Sequence, residues 1–174
     1  MVRDSPEAAR RCLVTAKERE SADGVQIRHP FNPNSEVHLK RLGRPTGLKR
    51  LSISIARVPP GKESFIYHAH DRDEEFVYIL SGRGIAEIGP LEIEVGPGDF
   101  MGFPTPSVAH HLRNPFAEDL VYLMGGEHSG FDIGRFPKLG KRLIFSEGAI
   151  ASVEDRHVRE MRFEEWLADP EGRA

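Results

Sequence analysis

At 174 residues, with 39% hydrophobic and 29% charged composition, the chain has the size and mix of one globular domain and excludes a disordered or fibrous protein. A formal charge of −3, with basic residues interleaved among acids, supplies no field for wrapping nucleic acid or docking on an anionic membrane, so neither partner is expected. The single cysteine, Cys12, cannot form an intrachain disulfide, no run approaches the ~20 apolar residues of a spanning helix, and the first nineteen residues lack a signal-peptide core, so a cytoplasmic location is expected.

Residues 5–19 read as a short peripheral helix, with Ser5 as N-cap, Pro6 at the first helical position and Glu7 in the first turn. The polar stretch 24–47, broken by Pro30, Pro33 and Pro45, reads as a wandering segment with one short strand. From residue 48 to 145 the text changes to β-branched and aromatic runs separated by Gly and Pro, the pattern of an antiparallel sandwich or barrel. Strands are expected at 51–58, 65–70, 75–80, 85–88, 91–95, 100–103, 110–114, 120–124 and 141–145. In the fifth of these Leu91, Ile93 and Val95 alternate with Glu92 and Glu94, which predicts a half-buried strand. Beyond Ser146 the chain is charged and helix-compatible, and residues 159–168 read as a C-terminal helix or turn packed on the barrel or on a partner subunit. Residues 1–45 thus form an N-terminal arm, 46–146 a single β-barrel and 147–174 a tail.

Eight histidines include two tight pairs, and these carry the chemistry. In a strand, residues i and i+2 share a face roughly 7 Å apart, so His68 and His70 point the same way and converge on one ion. A carboxylate follows at Glu74 or Glu75, and another imidazole at His110 or His111. If His110 faces inward, Leu112 and Asn114 do too, while Arg113 goes out with His111; this parity favours His110. Parity does not choose between Glu74 and Glu75, because Phe76, Tyr78 and Leu80 continue one frame and Val77 and Ile79 the other. Three imidazole nitrogens and one carboxylate suit one divalent transition ion: Fe, Mn, Ni, Cu or Zn. Phe65, Phe76, Phe100 and Phe103 read as core, His29, His38, His128 and His157 as solvated, and Arg57 and Tyr122 as residues that could line a pocket mouth.

These residues resemble the two motifs of the cupin superfamily. Gly61, His68, His70, Glu75 and Gly82 answer to the first, and the six-residue gap from Glu75 to Gly82 selects Glu75. Gly98, Pro104, His110 and Asn114 answer to the second, with Pro106 in place of its second Gly. One extra residue precedes His68 and another His110, each to be absorbed in a loop or bulge. The run 74–82, the histidine doublet and Gly125-Gly126-Glu127 further resemble small single-domain bacterial cupins.

The resemblance implies an all-β fold, a double-stranded β-helix or jelly-roll barrel, with the metal held by His68, His70, Glu75 and His110. It also implies a homodimer and a small-molecule ligand or substrate. The expected function is a metal-binding enzyme of a small carboxylate or sugar derivative, by dioxygenase, isomerase or lyase chemistry, with a non-catalytic binding or sensing module as the rival.

Overall fold

The computed structural model describes residues 5–168. Thirteen strands run β1 (Val25–Ile27), β2 (Val37–Arg41), β3 (Leu51–Val58), β4 (Ala69–His70), β5 (Glu75–Ser81), β6 (Gly84–Ile88), β7 (Leu91–Val95), β8 (Phe100–Phe103), β9 (His110–Arg113), β10 (Leu120–Glu127), β11 (Phe131–Phe136), β12 (Lys141–Ser146) and β13 (Ala149–Glu154). They form a six-stranded sheet in the order β1-β2-β3-β10-β5-β8, a three-stranded sheet β7-β6-β9 and a four-stranded sheet β13-β12-β11-β4. Every strand pair is antiparallel, as the all-β jelly-roll expectation requires. The core joins the first two sheets through Leu39, Val58, Ile79, Leu112, Leu120 and Tyr122. Burying each such large side chain contributes about 1.5–3 kcal/mol.

The N-terminal helix divides into α1 (Pro6–Arg11) and α2 (Ala16–Ser21). Thr15 begins the second with its own capping box, its hydroxyl receiving the Glu18 N–H while Glu18 receives the Thr15 N–H. The stretch 24–47 holds two strands rather than one, and both continue the six-stranded sheet. The expected strand 65–70 shrinks to the two residues of β4. The Ser64 N–H donates to the Leu112 carbonyl at 2.8 Å and the His68 N–H to the His110 carbonyl at 3.1 Å, so four steps on one chain oppose two on the other. Residues 65–67 bulge, which absorbs the extra length before His68.

β7 departs from the half-buried reading. It is the edge of its sheet, and Leu91 and Ile93 are exposed while Val95 is buried. After Ser146 the chain makes β13 rather than helix. Glu147 and Gly148, both at positive φ, form the two-residue turn that pairs β12 with β13. The described part of the tail does contain a helix, α3 (Phe163–Leu167), but Phe163, Trp166 and Leu167 are exposed rather than packed on the barrel. No helix among the described residues is long and apolar enough to cross a membrane.

Candidate metal centre

Four polar side chains converge inside one end of the barrel. Glu75 opens β5 and shares the inward face with Val77 and Ile79, which settles the parity that the sequence leaves open. Its Oε2 lies 3.3 Å from His110 Nε2, 3.5 Å from His70 Nε2 and 3.7 Å from His68 Nε2. The donor atoms of His68, His70 and Glu75 all lie within 4.8 Å of one another, and His110 joins them through its approach to Glu75. Glu74 is exposed and outside the cluster.

Each ring is fixed from behind. His68 Nδ1 meets the Ile66 carbonyl at 2.7 Å, His110 Nδ1 the Val108 carbonyl at 3.0 Å and His70 Nδ1 the Asp132 carboxylate at 2.5 Å. Carbonyl and carboxylate oxygens only accept, so each Nδ1 carries the proton and a neutral ring turns the lone pair of Nε2 inward. Three inward lone pairs and a carboxylate repel one another unless a cation or shared protons lie between them. The chemistry of the donor set, with its outer hydrogen bonds already in place, therefore fits a divalent transition ion. Burial by itself would raise the Glu75 carboxyl, but hydrogen bonds from His110 and His68 and the charge of His70 outweigh it when the rings are protonated, holding Glu75 well below the usual carboxylate range.

The surroundings are apolar. Phe103 stacks on His110 with ring centres 3.5 Å apart, and Phe136 lies over His68 at 6.2 Å. On the inward face opposite Glu75 stands Gly126, where a Cβ would come within 3.1 Å of Glu75 Cγ, so the missing side chain leaves the carboxylate its space. The interior cavity is about 50 Å³. That admits an ion and a few waters but not a metabolite, whose pockets run to about 300–1,000 Å³. Beside Glu75 the surface opens into a groove of about 470 Å³ that also touches Leu51, Phe103, Pro104, Gly126 and Glu127.

Asp132 is the residue that sequence reasoning missed. It sits in β11, which the strand reading skipped, and its carboxylate also accepts the Arg72 N–H at 2.9 Å. Burial would raise its pKa, yet the His70 bond and charge and the backbone donors hold it below its ordinary value. His111, on the outward parity of β9 beside His110, is buried beneath Glu63, which Asn32 and Asn34 hold in place. His29 is likewise half-buried, 5.7 Å from the Phe136 ring. Tyr122 is a core residue, not part of a mouth, and Arg57 lies on the outer face paired with Asp119 at 3.2 Å. Phe103 is core as expected, Phe65 half-buried at the cavity wall, and Phe76 and Phe100 are on the outer face of the sheet.

Comparison with known proteins identifies the fold. The Cupin domain model matches residues 54–126, the stretch that contains His68, His70, Glu75 and His110. The chain belongs to the cupin family. A solved structure from Acidithiobacillus ferrooxidans, carrying the provisional name of a sugar phosphate isomerase, is 36% identical, with a TM-score of 0.85 over 88% of this chain and 99% of that one. A second, named a sugar phosphate isomerase from a cupin superfamily of Silicibacter pomeroyi, is 21% identical with a TM-score of 0.67, over 72% of this chain and 80% of that one, and shows the cupin fold alone. An uncharacterized protein of Methanocaldococcus jannaschii is 33% identical over 92 residues, 53% of this cupin and 64% of that protein. The match therefore spans less than two thirds of that relative's length.

Proposed function

We propose that His68, His70, Glu75 and His110 hold one divalent transition ion and that this cupin is a metal-dependent enzyme that isomerises a small phosphorylated sugar. The observation that supports the ion is the set of three rings whose Nδ1 atoms are occupied by acceptors, leaving Nε2 to face Glu75. The substrate class is favoured over dioxygenase and lyase chemistry by the 36% identical relative named as a sugar phosphate isomerase. When bound, such an ion supplies Lewis acidity, polarising a carbonyl or hydroxyl oxygen of the substrate.

The chain's own residues do the rest. Asp132 holds the proton on His70 Nδ1 and fixes the ring's orientation. Glu75 brings a negative charge that offsets the ion's. Phe103, Val77 and Met124 line the cavity and limit the water that reaches it, while burial keeps the Tyr122 phenol protonated well above its ordinary range. The substrate lies in the groove beside Glu75, because the cavity has no room for it. We further propose that the protein works as a homodimer through the apolar outer face of its six-stranded sheet.

Elemental analysis of untagged protein, followed by NMR of aldose and ketose phosphates incubated with it, tests the reading. One equivalent of transition metal is expected, lost in His70→Ala, together with interconversion of one aldose–ketose pair. A full equivalent of metal in His70→Ala would refute the ligand set. Metal-loaded protein that binds a sugar phosphate and returns it unchanged would make this a binding module instead.

A further inference from the structure

Arg41 ends β2 and pairs in register with Ser54 of β3, on the inward face that also carries Met124 and Val77. One inward position further along β3, Ser52 faces Gly126, which in turn faces Glu75. With neighbouring strands about 4.8 Å apart, Ser52 stands roughly 10 Å from Glu75, backbone to backbone. The loop 42–50, which joins β2 to β3, therefore lies at the same end of the sheet as the metal centre.

That loop is tied down. The Leu42 and Gly43 N–H groups both donate to the Ile53 carbonyl, at 2.8 and 3.0 Å, the Thr46 hydroxyl donates to the Gly43 carbonyl at 2.7 Å, and Gly47 at φ 85° turns the chain back. It carries Arg44 and Lys49 into a groove of about 350 Å³ shared with Arg41, Ser52, Ser54 and His128, whose lining contains no Asp or Glu. Elsewhere Arg57, Arg113, Arg135 and Arg142 are held by carboxylates. Among the described residues no carboxylate lies within ion-pairing distance of Arg41, Arg44 or Lys49. Ser54 is only 5% exposed, lines this groove, and among the described residues its hydroxyl has no hydrogen-bond partner. Leu51 and Ile53 border both this groove and the one beside Glu75. In that neighbouring groove the Glu127 carboxylate is engaged by the Glu74 N–H at 3.2 Å.

Three unpaired cations, Arg41 at the end of β2 and Arg44 and Lys49 on a fixed loop, with hydroxyls between them, match a dianionic phosphate, which guanidinium groups bind through paired charge-assisted hydrogen bonds. We infer that this groove is an anion subsite and that it holds the phosphate of a phosphorylated sugar whose reacting end lies in the groove beside Glu75. The inference rests on the isomerase reading for the identity of the substrate, and on the groove alone for the binding of phosphate. The separation across β3 and β10 is about the length of an open-chain sugar phosphate.

The test uses the full chain with its metal and inorganic phosphate as the probe. In ¹⁵N NMR at constant ionic strength, phosphate should shift resonances within residues 41–54, and the double substitution Arg41→Gln and Arg44→Gln should abolish those shifts while leaving metal content unchanged. Absence of shifts there up to about 20 mM phosphate, weaker than the millimolar range, or equal shifts in the variant, overturns the subsite. With a sugar phosphate that is turned over, the variant should raise KM about tenfold or more with little change in kcat, and an unchanged KM overturns it. Phosphate bound at 41–54 by a protein that converts no sugar phosphate leaves the subsite standing and removes the isomerase reading.

Discussion

His70 and Asp132, sixty-two residues apart in the chain, are joined by a 2.5 Å contact between the ring Nδ1 and a carboxylate oxygen. The contact makes β11 part of the candidate metal centre although it supplies none of the four converging side chains. Asp132→Asn keeps the size of the side chain and one acceptor for the Arg72 N–H, but it removes the charge that steadies His70. Metal affinity should fall about 10–100-fold, as loss of such outer partners does elsewhere, with the melting temperature of the metal-free protein changed little. Competition with a chelator of known affinity measures this, and equal affinity in the variant would show that Asp132 serves only the turn at Arg72.

Gly82, between β5 and β6, has φ 75°, and a Cβ there would lie 2.0 Å from the Asp119 carbonyl oxygen. Gly82→Ala therefore meets both a left-handed backbone and a rigid neighbour. A loss of at least about 2 kcal/mol is expected. Gly98→Ala, at φ 96° with open space around it, should cost only the conformational part, about 1–2 kcal/mol. Urea unfolding of the two variants checks the order; equal losses would mean that Asp119 moves aside.

Gly61, Gly82 and Gly98 were legible as turn residues because positive φ leaves a local mark in the sequence, and all three adopt it. The convergence of His68, His70, Glu75 and His110 was legible for a similar reason: two-residue alternation and the spacing of two motifs are short-range signals. Asp132 and the exposure of Leu91 and Ile93 were not. An aspartate two residues into a strand reads as surface, and only the pairing of β11 with β4 brings it beneath His70. Alternation in β7 reports two faces of a strand, yet not whether another layer covers the apolar one.

His111 stands in a site that favours a neutral ring. Burial lowers its pKa to about 4, against the weaker opposing pull of Glu63 and Glu87, and its Nε2 has no hydrogen-bond partner among the described residues. A folded-state pKa below the unfolded value of ~6.5 means that the stabilisation is complete above pH 6.5 and is lost as the pH falls through that value toward 4. The amount at stake is up to about 3 kcal/mol. In chelator, wild-type stability should therefore fall more steeply between pH 6.5 and 4.5 than that of His111→Gln, which has no proton to gain. Parallel pH profiles in urea titrations would show that the ring is protonated at no cost.

Ile55, Leu123, Tyr78 and Phe100 stand in register across β3, β10, β5 and β8 on the outer face of the six-stranded sheet. Beside them Phe76 lies across Gly125, where a Cβ would come within 2.4 Å of the ring, and stacks toward Phe100 with centres 6.1 Å apart. Gly125 thus lets an aromatic side chain flatten against the sheet, which makes the surface smooth as well as apolar. Tyr78 is 40% and Phe100 65% exposed, a contiguous apolar area of the kind that monomers seldom leave in water. A second copy of the chain, meeting this face with the same face, would cover it symmetrically and would border the groove beside Glu75, whose wall includes Phe76 and Phe100. Sedimentation at micromolar concentration should find a dimer for the wild type and a monomer for the double substitution Tyr78→Arg and Phe100→Glu, with metal content retained because both side chains point away from the barrel interior. A wild-type monomer, or a variant that stays dimeric, would rule out this face as the contact between subunits.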